Sequence, residues 1–148
     1  MLTIGVTNLS ISPPNFETSF TILEEIKLYF DCGIKNTKLL TTNDGDVGGI
    51  VGLADGLVTL SNNYAQDIYI ESFYGQRMTG AGGILGVCTG SYTDINNCYA
   101  TGVIIGSVDG IGGILGVSSV SMYINNSYAD ADLISYTGGA GGLVGRAI

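Results

Sequence analysis

From Leu57 onward, short runs of alternating apolar and polar residues are separated by clusters of Gly, Asn, Asp, Ser and Thr. Val103 and Ile105, followed by Ile111 beyond a Gly-Ser-Val-Asp-Gly break, are one example. Period-two runs of roughly four to six residues bounded by turn formers predict short strands. No repeating segment carries an uninterrupted helical stripe.

The runs recur. A Gly-Gly-apolar-apolar-Gly element begins at Gly48, Gly82, Gly112 and Gly141, at spacings of 34, 30 and 29 residues. A second landmark, Asn-X-Tyr-Ala, ends at Ala65, Ala100 and Ala129. Repeats of this length signal solenoids, propellers or arrays. Aligned on Tyr64, Tyr99 and Tyr128, the copies give an apolar column of Leu60, Ile95 and Ile124, an asparagine column of Asn62, Asn97 and Asn126, and a second apolar column of Ile70, Ile105 and Ile134. Gly-Ile-Lys-Asn-Thr-Lys-Leu-Leu fits the same columns as a degenerate first copy, with Ile34 beneath Leu60, Asn36 beneath Asn62, Lys38 in place of tyrosine and Leu39 in place of alanine.

The expected fold is therefore all-β: a parallel β-solenoid of about four rungs with three strands per turn. Copies start near residues 31, 48, 82 and 112, with a partial copy from 141; residues 1–30 do not repeat and are expected to form an N-terminal cap or subunit-contact segment. Parallel rungs stack at about 4.8 Å, so equivalent residues form ladders. Asn62, Asn97 and Asn126 are expected to hydrogen-bond up the stack and satisfy buried turn groups, and Tyr64, Tyr99 and Tyr128 to stack their rings. Glycine is expected at corners that need positive φ or where backbones approach closely.

These residues resemble the GLUG-motif repeats, whose glycine-rich core stands here as GGIVG, GGILG, GGILG and GGLVG, with NNCYATG as the downstream element. The resemblance covers roughly residues 31 to 148. It implies a β-solenoid scaffold with a surface or adhesive role, as in bacterial surface proteins and proteins of large viruses, and it transfers no catalytic residue.

Composition narrows the chemistry. The 148 residues include 24 Gly, only 2 Pro and no His, with a net charge of −8. Lacking histidine, the chain has no Ser-His-Asp or Cys-His nucleophile and no histidine metal ligand. From residue 39 onward nine acids face only Arg77 and Arg146, a balance that repels a phosphate backbone, so nucleic acid is not an expected partner. Cys32, Cys88 and Cys98 form no CxxC pair; Cys88 and Cys98 are read as free buried thiols, with a disulfide between them left open.

The glycines of GAGGILG, at Gly80, Gly82, Gly83 and Gly86, miss the dinucleotide fingerprint, and no Walker lysine follows them. Asp44 with Asp46, and Asp130 with Asp132, do not recur in register as calcium turns would, and are read as solvated turn residues. Asp67, Glu71, Asp94 and Asp109 offer no carboxylate pair that the sequence can place at glycosidase distance. No catalytic residue, metal or cofactor is expected, and the chain is read as no enzyme.

Two features point to contacts. Tyr64 to Gly82 spans 18 residues where Tyr99 to Gly112 and Tyr128 to Gly141 span 13, so the first full copy carries an insertion near Phe73, Tyr74 and Arg77. Insertions of this kind fall on loops, and aromatic residues with arginine are enriched at recognition surfaces. The partial copy with Gly141, Leu143, Val144 and Ile148 is expected to dock end to end against a neighbouring subunit. The expected role is a structural or adhesive module of a cell surface, appendage or virus particle, self-associating head to tail as a homo-oligomer or filament, or bound to neighbouring structural subunits, a glycan or a host surface. The alternative is a glycan-binding or glycan-cleaving β-helix. No signal peptide is visible, membrane insertion is not expected, and an extracellular, cell-surface or virion location is.

Overall fold

The computed structural model describes residues 31–41, 45–73 and 78–148. The proposed N-terminal cap, and Asp44, Tyr74 and Arg77, lie outside the described residues.

The described chain is a parallel β-solenoid. It opens with β1 (Gly33–Lys35) and β2 (Lys38–Thr41). Three complete turns follow. The first holds β3 (Val47–Gly48), β4 (Val51–Ala54), β5 (Leu57–Ser61) and β6 (Tyr64–Ser72). The second holds β7 (Gly80–Gly82), β8 (Leu85–Cys88), β9 (Tyr92–Asn96) and β10 (Tyr99–Gly106). The third holds β11 (Gly110–Gly112), β12 (Leu115–Ser118), β13 (Ser121–Asn125) and β14 (Tyr128–Ser135). A part-turn of β15 (Gly139–Gly141) and β16 (Val144–Ala147) completes the coil. Strands stack into four parallel sheets: sheet I is β3-β7-β11-β15, sheet II β4-β8-β12-β16, sheet III β5-β9-β13, and sheet IV has β1 and β2 on β6, then β10, then β14.

Each turn thus has four strands rather than the expected three. The Gly-Gly element is not one strand but a corner: β7 ends at Gly82, the chain turns at Gly83 and Ile84, and β8 begins at Leu85 on another sheet. The corner brings backbones together. A Cβ on Gly83 would lie 2.2 Å from the Gly113 carbonyl oxygen and 2.3 Å from the Ala100 Cβ. The last glycine of the element, Gly86, packs its backbone on the sheet I strand of the preceding turn, where a Cβ would stand 2.7 Å from the Val47 nitrogen. Gly49 meets Ala65 and Gly113 meets Ala129 in the way Gly83 meets Ala100. The two repeated landmarks therefore touch inside every complete turn.

Positive φ is carried mainly by other residues. Asn36, Asn62, Asn97 and Asn126 lie at φ 50, 58, 52 and 47°, the left-handed region that asparagine tolerates better than most side chains. The asparagine column is a row of corners where the chain passes from sheet III to sheet IV, as Asn62, Asn97 and Asn126 show, and these three side chains are exposed. Asn97 Nδ2 donates to Asn62 Oδ1 at 3.2 Å, and Asn62 Nδ2 to Asp31 Oδ1 at 3.1 Å, so a ladder forms on the surface and not over buried turn groups.

The core is a narrow column of inward side chains. Leu60 and Ile95 are fully buried with Ile124 packed against them, as aligned. The second apolar column needs correction. Ile70 pairs with Ile104, not Ile105, and Ile104 with Leu133. The cause is a bulge: Gln66 and Asp67 together oppose Thr101, and Asp67 takes φ 54°. One residue of slip sends Ile105 and Ile134 to the outer face. Val103, which alternates with Ile105 in the sequence, stands beside them on that face.

The first copy is threaded differently as well. Gly33 pairs with Tyr64, Ile34 with Ala65, Lys38 with Tyr69 and Leu39 with Ile70. The expected alignment was five residues out of step, and Asp31, not Asn36, lies below Asn62. The inserted residues divide in two: one forms the bulge, and four lengthen the corner from Ser72 to Gly80 relative to Gly106 to Gly110.

Candidate interaction surface

The outer face of sheet IV carries Tyr64, Tyr69, Tyr99 and Tyr128 together with Lys35, Lys38, Glu71, Asp130 and Asp132, because period-two alternation sends every second residue of its strands outward. Tyr64 and Tyr99 stack with centroids 5.5 Å apart at 13°, and Tyr99 and Tyr128 at 5.2 Å and 4°. The expected tyrosine ladder is present. Its lower end is closed: the Tyr64 ring lies over Gly33, where a Cβ would come within 1.9 Å of it, and Lys35 Nζ sits 5.5 Å from the ring centroid. Its upper end at Tyr128 is open, with that residue 55% exposed.

Two further columns run beside the ladder. Lys38, Tyr69, Val103 and Asp132 are in register, with Lys38 Nζ 4.9 Å from the Tyr69 centroid. Leu40, Glu71, Ile105 and Ile134 form the next. Tyr69 donates its hydroxyl to Glu71 Oε2 at 3.1 Å, a bond that leads in holding the phenol above its ordinary pKa. Phe73, from the expected contact loop, stacks on Tyr136 at 6.0 Å and 25°. Asp130 and Asp132 are strand residues on this outer face, not turn residues as expected.

The C-terminal edge is formed by β13 to β16. Gly141 ends β15, and Val144 opens β16 and packs partly on the core; Leu143 and Ile148 are exposed. Leu143 continues the column of Ile114 and Ile84, both fully buried, but is itself 42% exposed. Gly142 has nothing within 4 Å of an added Cβ, although its counterparts Gly49, Gly83 and Gly113 are each filled against an alanine.

The carboxylates weighed for glycan chemistry are dispersed. Asp67 and Glu71 are on sheet IV, Asp94 is on sheet III, and Asp109 lies at the corner from sheet IV to sheet I, where it pairs with Arg146 at 2.7 Å and accepts the Met78 N–H at 2.8 Å. Asp46 accepts the Gly80 N–H at 3.2 Å, and burial pushes its pKa up to about 6. No disulfide joins any of the three cysteines. Cys88 donates to Ser118 Oγ at 3.1 Å within sheet II, while Cys98 donates to the Asn96 carbonyl at 3.2 Å at the corner into sheet IV. Burial raises the Cys98 pKa more than the amides of Asn63 lower it, which keeps the thiol protonated and unreactive at neutral pH. Among the described residues no group of three acids or cysteines is placed to hold a metal ion, and no helix is long and apolar enough to cross a membrane.

Sequence reasoning missed Lys35, Lys38, Asp130 and Asp132 as members of shared columns. A signal was present: Asp31-Cys32-Gly33 matches Asn97-Cys98-Tyr99, and that match sets the first strand in its true register. Set against known proteins, the chain matches no family model, no curated protein and no solved structure.

Proposed function

We propose that this solenoid is a non-enzymatic structural or adhesive module of a cell surface, appendage or virus particle, joined end to end to copies of itself or to neighbouring structural subunits. The observation that carries the reading is the apolar edge at its C-terminal end. Leu143, Ile134 and Ile148 are 42, 42 and 63% exposed there, beside a row of strand edges with no partner among the described residues. Such an edge is a template for pairing, and covering it removes apolar surface from water.

The GLUG-like repeats support the same reading, and membership of that group is part of the proposal. The glycan alternative draws less support. Face-to-face stacking engages the Tyr64 and Tyr99 faces that a sugar ring would use, leaving Tyr123, Tyr128 and Tyr136 exposed, and Asp94 and Asp109 stand apart from Asp67 and Glu71.

Sedimentation velocity and electron microscopy across a wide concentration range test the proposal. Growth in steps of the 15.3 kDa chain, leading to rods or fibres, is expected. A single monomer boundary at every concentration overturns it.

A further inference from the structure

The two ends of sheet IV carry opposite charges in the same columns. At the N-terminal edge, Lys35 and Lys38 project from β1 and β2, and both are exposed. At the C-terminal edge, Asp130 and Asp132 project from β14, also exposed, with no ion-pair partner among the described residues. Lys35 lies in line with Asp130 through Gln66 and Thr101, and Lys38 with Asp132 through Tyr69 and Val103. The free edges of β1, β2 and β14 have no strand partner among the described residues.

We propose that β14 of one copy pairs in parallel with β1 and β2 of a second copy, continuing sheet IV across the joint in the register of its internal rungs. The inference rests on the end-to-end association proposed above and specifies its geometry. Gly33 of the second copy lies beside Tyr128, Lys35 beside Asp130, Lys38 beside Asp132, and Leu40 beside Ile134.

Several features fit this single register. Leu40 and Ile134 are 51 and 42% exposed and would cover each other. Gly33 brings no side chain against the open Tyr128 ring. Inside the coil, Ile34 and Leu39 of the second copy continue the columns of Ala129 and Leu133. Two lysines at one end and two aspartates at the other oppose joining like ends, since like charges directly opposite are destabilising. The contact is therefore heterologous, and it propagates along the axis.

Charge reversal tests the register. A Lys35→Asp/Lys38→Asp chain has acids at both ends, and an Asp130→Lys/Asp132→Lys chain has bases at both. Each alone is expected to need roughly tenfold or more protein to associate than the parent. An equimolar mixture is expected to regain parent-like assembly, because each acidic end then meets a basic one. All four side chains are exposed, so circular dichroism and the melting midpoint should stay near the parent's. Should either reversed chain not fold, Asp130→Asn/Asp132→Asn serves instead, with weaker association than the parent and a smaller response to added salt.

If the reversed or neutralised chains associate as the parent does, the register is wrong while end-to-end association stands. Suppression without rescue in the mixture also overturns the pairing. A parent that stays monomeric overturns both the register and the proposed function.

Discussion

The middle turn and the C-terminal part-turn carry nearly the same words in different surroundings. In the middle turn, Ile84, Leu85, Ile95, Ala100 and Ile104 are fully buried, with a rung on either side. In the part-turn, Gly-Gly-Leu-Val-Gly repeats the motif, yet Leu143 is exposed and Gly142 faces open space. Burial of a motif residue is thus set by its neighbours along the axis, not by the motif. A repeat protein of this kind is stabilised as a sum of rungs and the interfaces between them, and its last rung has a neighbour on one side only among the described residues.

The contrast can be broken in graded ways. Ile95→Ala opens a cavity in the central column and is expected to cost about 2–5 kcal/mol in urea unfolding, whereas Ile134→Ala on the outer edge stays within about 0.5 kcal/mol. Equal losses would mean that Ile134 is packed as an inward residue. Asn97→Ala places an ordinary side chain at φ 52° and is expected to cost about 1–2 kcal/mol, with Asn97→Gly recovering most of it; the recovery separates the backbone effect from the loss of the hydrogen bond to Asn62.

The smallest effect is that of pH on Asp46. Its folded pKa is raised from the ordinary 3.8 to about 6, because burial favours the neutral acid. The fold therefore has its full contribution from this group below about pH 3.8 and loses it as pH rises toward 6. Solvent still reaches the carboxyl, so the loss should be a fraction of 1 kcal/mol. Asp46→Asn keeps an oxygen for the Gly80 N–H, and its melting midpoint minus the parent's should rise across that window. A constant difference would place Asp46 in water.

The repeat was legible because Gly-Gly and Tyr-Ala must co-occur: Gly83 fits only against a residue as small as Ala100, so neither landmark drifts independently. The number of strands per turn was not. In Gly-Ala-Gly-Gly-Ile-Leu-Gly-Val-Cys the corner lies between glycines and apolar residues that are all buried, and nothing polar marks it.

Nor could a gap-free alignment on Tyr64 reveal the bulge at Asp67. In the run Val103-Ile104-Ile105 either face reads as apolar. The same limitation hides the charged columns, since the gap-free pattern puts β1 and β2 five residues from their true partners. The partial copy is visible in the sequence as a contact candidate and the tyrosines as a structural ladder, but the opposition of Lys35 and Lys38 to Asp130 and Asp132 emerges only when strands are stacked in register.

Parallel urea unfolding of Gly83→Ala and Gly142→Ala tests the stacking account most directly. The two glycines hold the same motif position, but an added Cβ meets the Gly113 carbonyl oxygen and Ala100 in one case and nothing within 4 Å in the other. Gly83→Ala is expected to lose about 3 kcal/mol or more and Gly142→Ala less than about 0.5 kcal/mol. Equal losses, or a larger loss at Gly142, would contradict the account.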